Sequence, residues 1–519
     1  MREYVTNVTE EMLAELHARW GRGRAVGRVI ALMERAGVQS IVTEELEPES
    51  PLLTHPEWEK EVEHYYSNVF HTRGRLNVRR IHFWGEPVRN SSEEEESDSY
   101  LGYCDLRPTN PATVSGAIID LSVFIPDPHM DVYVPCRREY TVPIDADLSK
   151  TVTAFPYVQQ DGNCIVCAGA ALSSMAWHLS PEKELSGPDF ESLGSDVLPL
   201  GRTFPNPGMY LTQISHCIRQ MGYSPVLEPL DDEENTLNLL EMIYPYVESG
   251  TPVFVGIKTQ DSAHAMIVIG HTFRQDRWLA ETFSSYYGGK CAQYKTNVDW
   301  IDGLVVQDDN CGPYITAPSS LFETPVCQYM LAPVGSSDYL TGAEAQKYVG
   351  EDLLYGALRN YLFRLQDSKR SQADDEAYID ETTATWFEEF LHQYCANALV
   401  LRTYMCESEE WRKQARRHPY MEDDSAADLL DNLELPERVW VVEISWPQIF
   451  CHKRHRCGEI LVDPTDKPTL STHALKQLWL WIHLPGLVMR RNVTNQDIDA
   501  CYWPDNDAVY PHHFTSKLP

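Results

Sequence analysis

Apolar residues in the first 36 positions recur at helical spacing. Thr9 is placed to cap, Glu10 and Glu11 suit a first turn, and Met12, Leu13 and Leu16 share one side. Val26, Ile30 and Met33 continue such a stripe beyond a glycine-rich break at 21–23. The pattern predicts helices over 9–36 and around Trp58 to Phe70. The period then changes to that of strands at Val78 to Trp84, Tyr100 to Leu106, Ala117 to Ile125 and Met130 to Pro135. Between them NSSEEEESDS, Asn90 to Ser99, has little to bury and is expected to be an exposed, disordered loop.

The next stretch runs the other way, helices first and strands after. Phe155 to Val158 is apolar, Gln159 to Asn163 is a polar turn, and Ala168 to Leu179 is a run of small and apolar residues that reads as a buried helix. A glycine- and proline-rich loop follows at 186–208. Helices are expected at Tyr210 to Gly222 and at Asn235 to Ser249, the second stopped by Gly250. Strands follow at Pro252 to Ile257, Ala265 to Gly270, 277–283 and 304–307. Beyond 336 a helical stripe runs through Glu344 to Gln366, then come an acidic loop at 367–382 and an apolar helix at Thr385 to Leu401. Val439 to Ile444 and Glu459 to Val462 read as paired strands around a basic loop. The expected fold class is α+β, in three domains over 1–150, 151–335 and 336–519.

Length and composition agree with a folded, multidomain chain. At 519 residues it exceeds one ordinary core, and 43% of it is hydrophobic. The 77 acidic residues outnumber 43 basic ones, for a formal net charge of -34. Such a surface repels nucleic-acid phosphates and anionic lipid, and favours basic partners or substrate segments. The opening run MREYVTNVTEEMLAELHARW is charged throughout, unlike an export signal, and no stretch is long and apolar enough to span a membrane. The 13 scattered cysteines are then expected to be reduced thiols in the cytoplasm. In CHKRHRC, Cys451 to Cys457, the basic residues oppose a cation, so a solvated hairpin tip is expected rather than zinc. No phosphate-binding glycine loop is present, and no metal or other cofactor is implied.

Candidate chemistry begins where the polar turn becomes the helix. Cys164 and Cys167 sit there, and a helix start favours the thiolate through its unpaired N–H groups and dipole. A thiol nucleophile needs a base, and the base needs an orienting group. His264 opens the strand-like run AMIVIGH after a polar loop, and His271 ends it. The two point to opposite faces, so one of them at most is the base. An apolar strand then delivers Asp308, Asp309 and Asn310 to a turn at Gly312-Pro313, where a carboxylate would fix the imidazole tautomer.

In that order these motifs resemble the papain-like cysteine peptidase superfamily, nearest to the bacterial double-glycine leader peptidases. The likeness covers roughly residues 153–320. It rests on the glutamine-bearing turn, the cysteine helix, GTPVFVGIK, HAMIVIGH and DDNCG. The chain is also similar to a group of uncharacterised bacterial proteins through Gln160, Asp161, Cys167, Ala168 and the segment Tyr100 to Thr109. The resemblance implies a helix packed on an antiparallel sheet, with mixed α/β domains on either side. It implies a peptidase acting on a peptide or isopeptide bond. Cys167 would be its nucleophile, His264 its base, Asp308 the orienting acid and Gln160 an oxyanion donor, with Gln159 the other candidate. DGNC resembles instead the cysteine box of ovarian-tumour-type deubiquitinases, which keeps Cys164 as an alternative nucleophile. Two departures stand out: neither glutamine-to-cysteine spacing equals the family's usual one, and the interval from His264 to Asp308 implies an extra hairpin near 274–303. Acyl transfer or deamidation by the same triad, and a silent papain-like binding module in a signalling or defence assembly, are the rival functions. The implied partners are a protein or peptide substrate and a regulatory protein, with no nucleic acid and no membrane.

Overall fold

The protein was analysed as a computed structural model. It describes residues 2–67, 76–124, 129–161, 166–197, 208–229, 239–258, 263–274, 294–323, 326–358, 389–390, 393, 399–418, 421, 424–453, 455–465, 478–494, 497–502, 510–513 and 517. The expected strand at 277–283, most of the hairpin near 274–303 and the acidic loop at 367–382 lie outside these residues. The fold is mixed α+β, built on several antiparallel sheets.

The first sheet has five strands in chain order, β1 (Glu3–Thr6), β2 (Ser40–Leu46), β3 (Val78–Trp84), β4 (Tyr100–Leu106) and β5 (Val114–Ile119). Helices Glu10–Arg19 and Arg24–Arg35 fill the β1–β2 connection, with Thr9 capping the first through Met12 N at 3.3 Å. Arg24–Arg35 buries Ala25, Val26, Val29, Ile30, Leu32 and Met33, the stripe its spacing predicts. After β5 the chain turns at Asp120 into a short 3-10 helix, Leu121–Val123, earlier than the strand expected to Ile125.

The second sheet brings together β6 (Met130–Tyr133), β9 (Ser224–Pro229), β10 (Val253–Lys258), β11 (Ala263–Arg274), β13 (Ile301–Asp308), β14 (Gly312–Pro318) and β15 (Cys327–Val334). Its order is β14-β13-β11-β10-β15-β9, and β6 joins the far end of β11. β7 (Arg138–Pro143) and β8 (Ser149–Ala154) form a hairpin leading to the polar turn. The third sheet runs β12 (Lys295–Thr296), β16 (Val400–Glu407), β17 (Arg438–Ser445), β19 (Gly458–Val462), β20 (Trp479–Leu484), β21 (Leu487–Arg491) and β22 (Ile498–Tyr502). β18 (His455–Arg456) pairs with β23 (Tyr510–Pro511) beside it. One continuous apolar core runs through all three sheets.

Three local expectations are corrected. The acidic run after Asn90 is ordered: Ser91–Glu96 is a helix whose first N–H groups are capped by Asn90 Oδ1, and Glu94 is buried against Arg2 Nη1 at 2.8 Å. The helix expected to reach Leu401 gives way to a strand from Val400, where pairing with β17 overrides local apolarity. The basic loop is no solvated tip. Pro447–Lys453 is a helix, and Arg456 is fully buried between Glu459 at 2.7 Å and Glu443 at 3.6 Å.

Candidate active site

The helix Cys167–Leu179 is rich in alanine, glycine and serine, and its small side chains are buried on nearly every side. That composition lets it pack on the middle of β11. Cys167 is its first residue and is half-buried. No side chain caps this start. Val166 N instead donates to Glu191 Oε1 at 3.4 Å, and burial raises the Glu191 carboxyl to about 7.

β11 is central because Val253, Phe254 and Val255 pair with its apolar stretch Met266 to Val268. His264 therefore stands at the mouth of a rigid strand, opposite Ile257. β13 pairs along the other edge of β11 and ends at Asp308. There Asp308 Oδ1 accepts from Asn310 N at 2.8 Å and Cys311 N at 3.0 Å, an aspartate-closed turn. The turn needs glycine at 312, where φ is +115° and a Cβ would stand 2.6 Å from Arg28 Cβ.

These elements put Cys167, His264 and Asp308 in one chain of contacts. Cys167 stands close enough to His264 to act on its titration. Its Nε2 donates to Asp308 Oδ1 at 3.2 Å and lies 3.6 Å from Asp309 Oδ1. An ionised carboxylate only accepts, which puts a proton on Nε2. Asn310 Nδ2 also reaches Nδ1, at 3.3 Å. Burial opposes charge on His264, but its bond to Asp308, the nearby Cys167 and the field of Asp309 prevail and raise its pKa to about 10. Burial likewise works against the Asp308 carboxylate, yet His264 and two backbone N–H groups hold it below the usual range. Asp309 goes the other way: burial, against the pull of His264 and with the push of Asp308, raises it to about 7.

Gln160 enters the same network, its Nε2 donating to Asn310 Oδ1 at 3.0 Å. Gln159 does not, since its side chain accepts from Val114 N at 2.9 Å. Cys164 lies outside the described residues. His271 is far from the thiol in environment: it is 1% exposed, bonded to Glu248 Oε2 at 2.6 Å and stacked on Tyr133. It occupies a sealed ionic cluster, which removes it as the alternative base.

Several supporting residues went unread in the sequence. Tyr157 Oη donates to the backbone oxygens of Asp308 and Asp309, each at 3.2 Å. Arg28 grips Pro313 O at 3.1 Å and Tyr314 O. Arg107 Nη2 donates to Gln159 O at 2.7 Å, and Tyr66 Oη to Asp161 Oδ2 at 2.5 Å. Tyr329 lies over Gly256 within the field of Cys167. The one signal available was the Tyr100 to Thr109 segment, which contains Arg107.

Two described groups could offer a metal three ligand atoms, His264 with Asp308 and Asp309, and Glu443 with Glu459 and His513. Arg402 and Arg456 already pair with the carboxylates of the second group. Comparison of the chain with protein-family models, curated proteins and solved structures finds no match. The reading of the site therefore stands on its geometry.

Proposed function

We propose that this protein is a cysteine peptidase with a papain-like core, hydrolysing a peptide or isopeptide bond at Cys167. The observation that carries the proposal is a single imidazole, His264, hydrogen-bonded to a carboxylate and close enough to a helix-start thiol to feel it. A helix laid on an antiparallel sheet is the architecture such a core requires.

In this mechanism the Cys167 thiolate, paired with the His264 imidazolium, attacks the carbonyl carbon. Asp308 keeps the proton on Nε2 and stabilises the imidazolium. Negative charge developing on the carbonyl oxygen is met by backbone N–H at the helix start and by Gln160. The Gln160 amide has two N–H groups and uses one on Asn310. His264 then protonates the leaving amine as the C–N bond breaks, leaving a thioester. Water, deprotonated by His264, attacks the thioester and expels Cys167 as the thiolate, which restores the thiolate–imidazolium pair.

The acidic surface favours basic substrate segments. No described helix is long and apolar enough to cross a membrane. Eight described cysteines are free thiols, which suits a cytoplasmic setting. The test is competitive labelling with a thiol electrophile, followed by mass mapping of each cysteine. Cys167 is expected to react far ahead of the others, and to slow when His264 is replaced by alanine. Labelling of Cys167 no faster than Cys311 or Cys406 would end this reading.

A further inference from the structure

The turn that orients His264 holds one carboxylate more than a triad uses. Asp309 is 5% exposed, and among the described residues neither of its side-chain oxygens accepts a hydrogen bond. A buried carboxylate without donors calls for a compensating charge. Its Oδ1 lies 3.6 Å from His264 Nε2, and the same nitrogen lies 3.2 Å from Asp308 Oδ1. A hydrogen bond explains the shorter separation and not the longer one.

An imidazolium on His264 pairs with both, and a metal in place of its proton would account for both as well. Zinc held by nitrogen and oxygen at ~2.0–2.2 Å in tetrahedral geometry sets its ligand atoms roughly 3.4 Å apart. The two measured separations lie on either side of that edge, and all three ligand atoms fall within 4.8 Å of one another. Outer contacts of the kind that steady metal ligands are in place. Asn310 and Cys311 N–H groups hold Asp308. Two carboxylates and a neutral imidazole balance a divalent charge.

We propose that His264, Asp308 and Asp309 form a site for a divalent cation of the zinc class, and that filling it switches the thiol chemistry off. Binding makes an Nε2–metal bond where Nε2–H was, and the displaced proton leaves to water. The remaining imidazole proton then sits on Nδ1, and the ring, now neutral, no longer supplies the cation that holds Cys167 as the thiolate. Water takes the fourth position on the metal. The cation site stands on three donor atoms; its inhibitory effect rests on the peptidase reading above.

Calorimetric titration of the metal-free full chain with zinc chloride tests the site. One saturable event is expected, weakened at least ~10-fold in Asp309→Asn and retained in Cys167→Ala. Cobalt(II) in the unaltered chain should show the visible bands of a four-coordinate nitrogen and oxygen set, without a thiolate-to-metal band. Full zinc affinity in Asp309→Asn, loss of it in Cys167→Ala, or a thiolate band overturns the site. Zinc should also slow iodoacetamide labelling of Cys167 in the unaltered chain and not in Asp309→Asn. No slowing, or equal slowing in both, overturns the inhibition. If metal-free protein shows no preferential labelling of Cys167, the peptidase reading falls, and calorimetry still decides the cation site.

Discussion

β11 carries a histidine near each end, and each is bonded to a carboxylate. His264 meets Asp308 at 3.2 Å near a half-buried thiol; His271 meets Glu248 at 2.6 Å in a buried cluster. The inert pair is thus the shorter one. Glu248 also takes Arg402 Nη2 at 2.6 Å, and Arg402 Nη1 reaches Glu443 at 2.7 Å. A short histidine–carboxylate bond reports burial and complementary charge, and chemistry needs a nucleophile and access besides. The anchors differ as well. In the sealed cluster arginines grip carboxylates. Around His264, Arg28 and Tyr157 grip backbone oxygens, and Arg107 grips both the Gln159 oxygen and the Glu61 carboxylate.

The comparison breaks most sharply on reactivity. Cys167→Ala should remove cleft labelling altogether, and His264→Ala should slow it by roughly 10²–10⁴-fold, the range a positioned base supplies. His271→Ala should leave labelling of folded molecules unchanged. Competitive alkylation of the three variants checks this, and equal slowing in both histidine variants would erase the distinction.

Stability should divide the other way. Arg402→Met strips a buried guanidinium from Glu248 and Glu443, and should cost roughly 3–5 kcal/mol. His271→Ala leaves Glu248 its arginine and should cost about 1–3 kcal/mol. Urea denaturation with intrinsic fluorescence measures both. A milder effect for Arg402→Met than for His271→Ala would show that the histidine holds the cluster.

What the sequence displays follows from where each residue gets its partners. His264 and Asp308 sit at ends of strands whose apolar runs are local, so their placement could be read. Cys167 opens a helix whose small residues announce close packing. Arg456 lies in a basic run that reads as solvated, because Glu443 and His513 reach it from other segments. Glu94 misleads in the same way, since its partner Arg2 is at the far end of the region. Val400 and Leu401 fit a helix by composition until β17 pairs with them. Tyr157 and Arg28 act on backbone atoms, and no sequence motif marks such a contact.

The two regions should respond to pH in opposite directions. The folded state raises His264 to about 10, so it keeps a proton that the unfolded chain releases above about 6.5. Stability from that pair is complete below about pH 6.5 and is lost as pH rises toward 10. Burial would raise Glu248, but Arg402 and His271 hold it down, to about 2. Its contribution is complete above about pH 4.5 and is lost as pH falls toward 2. In thermal melts of metal-free protein, the gap between the unaltered chain and His264→Ala should narrow on the alkaline side. The gap to Arg402→Met should narrow on the acid side. Gaps that stay constant with pH would remove the electrostatic basis of the contrast.

The smallest effect tests the backbone anchors. Tyr157 Oη donates to the carbonyls of both Asp308 and Asp309 from a fully buried position. Tyr157→Phe keeps the ring and removes the donor, leaving two carbonyl oxygens short of one hydrogen bond. A loss of about 1–3 kcal/mol in stability is expected. If the tyrosine acts by placing the acidic turn, labelling of Cys167 should slow while the His264 dependence on pH shifts toward the acid side, because Asp308 no longer stands squarely behind the imidazole. A stability loss with an unchanged pH profile would make Tyr157 a packing residue. The turn would then owe its position to Arg28 and to the aspartate's own bonds with Asn310 and Cys311.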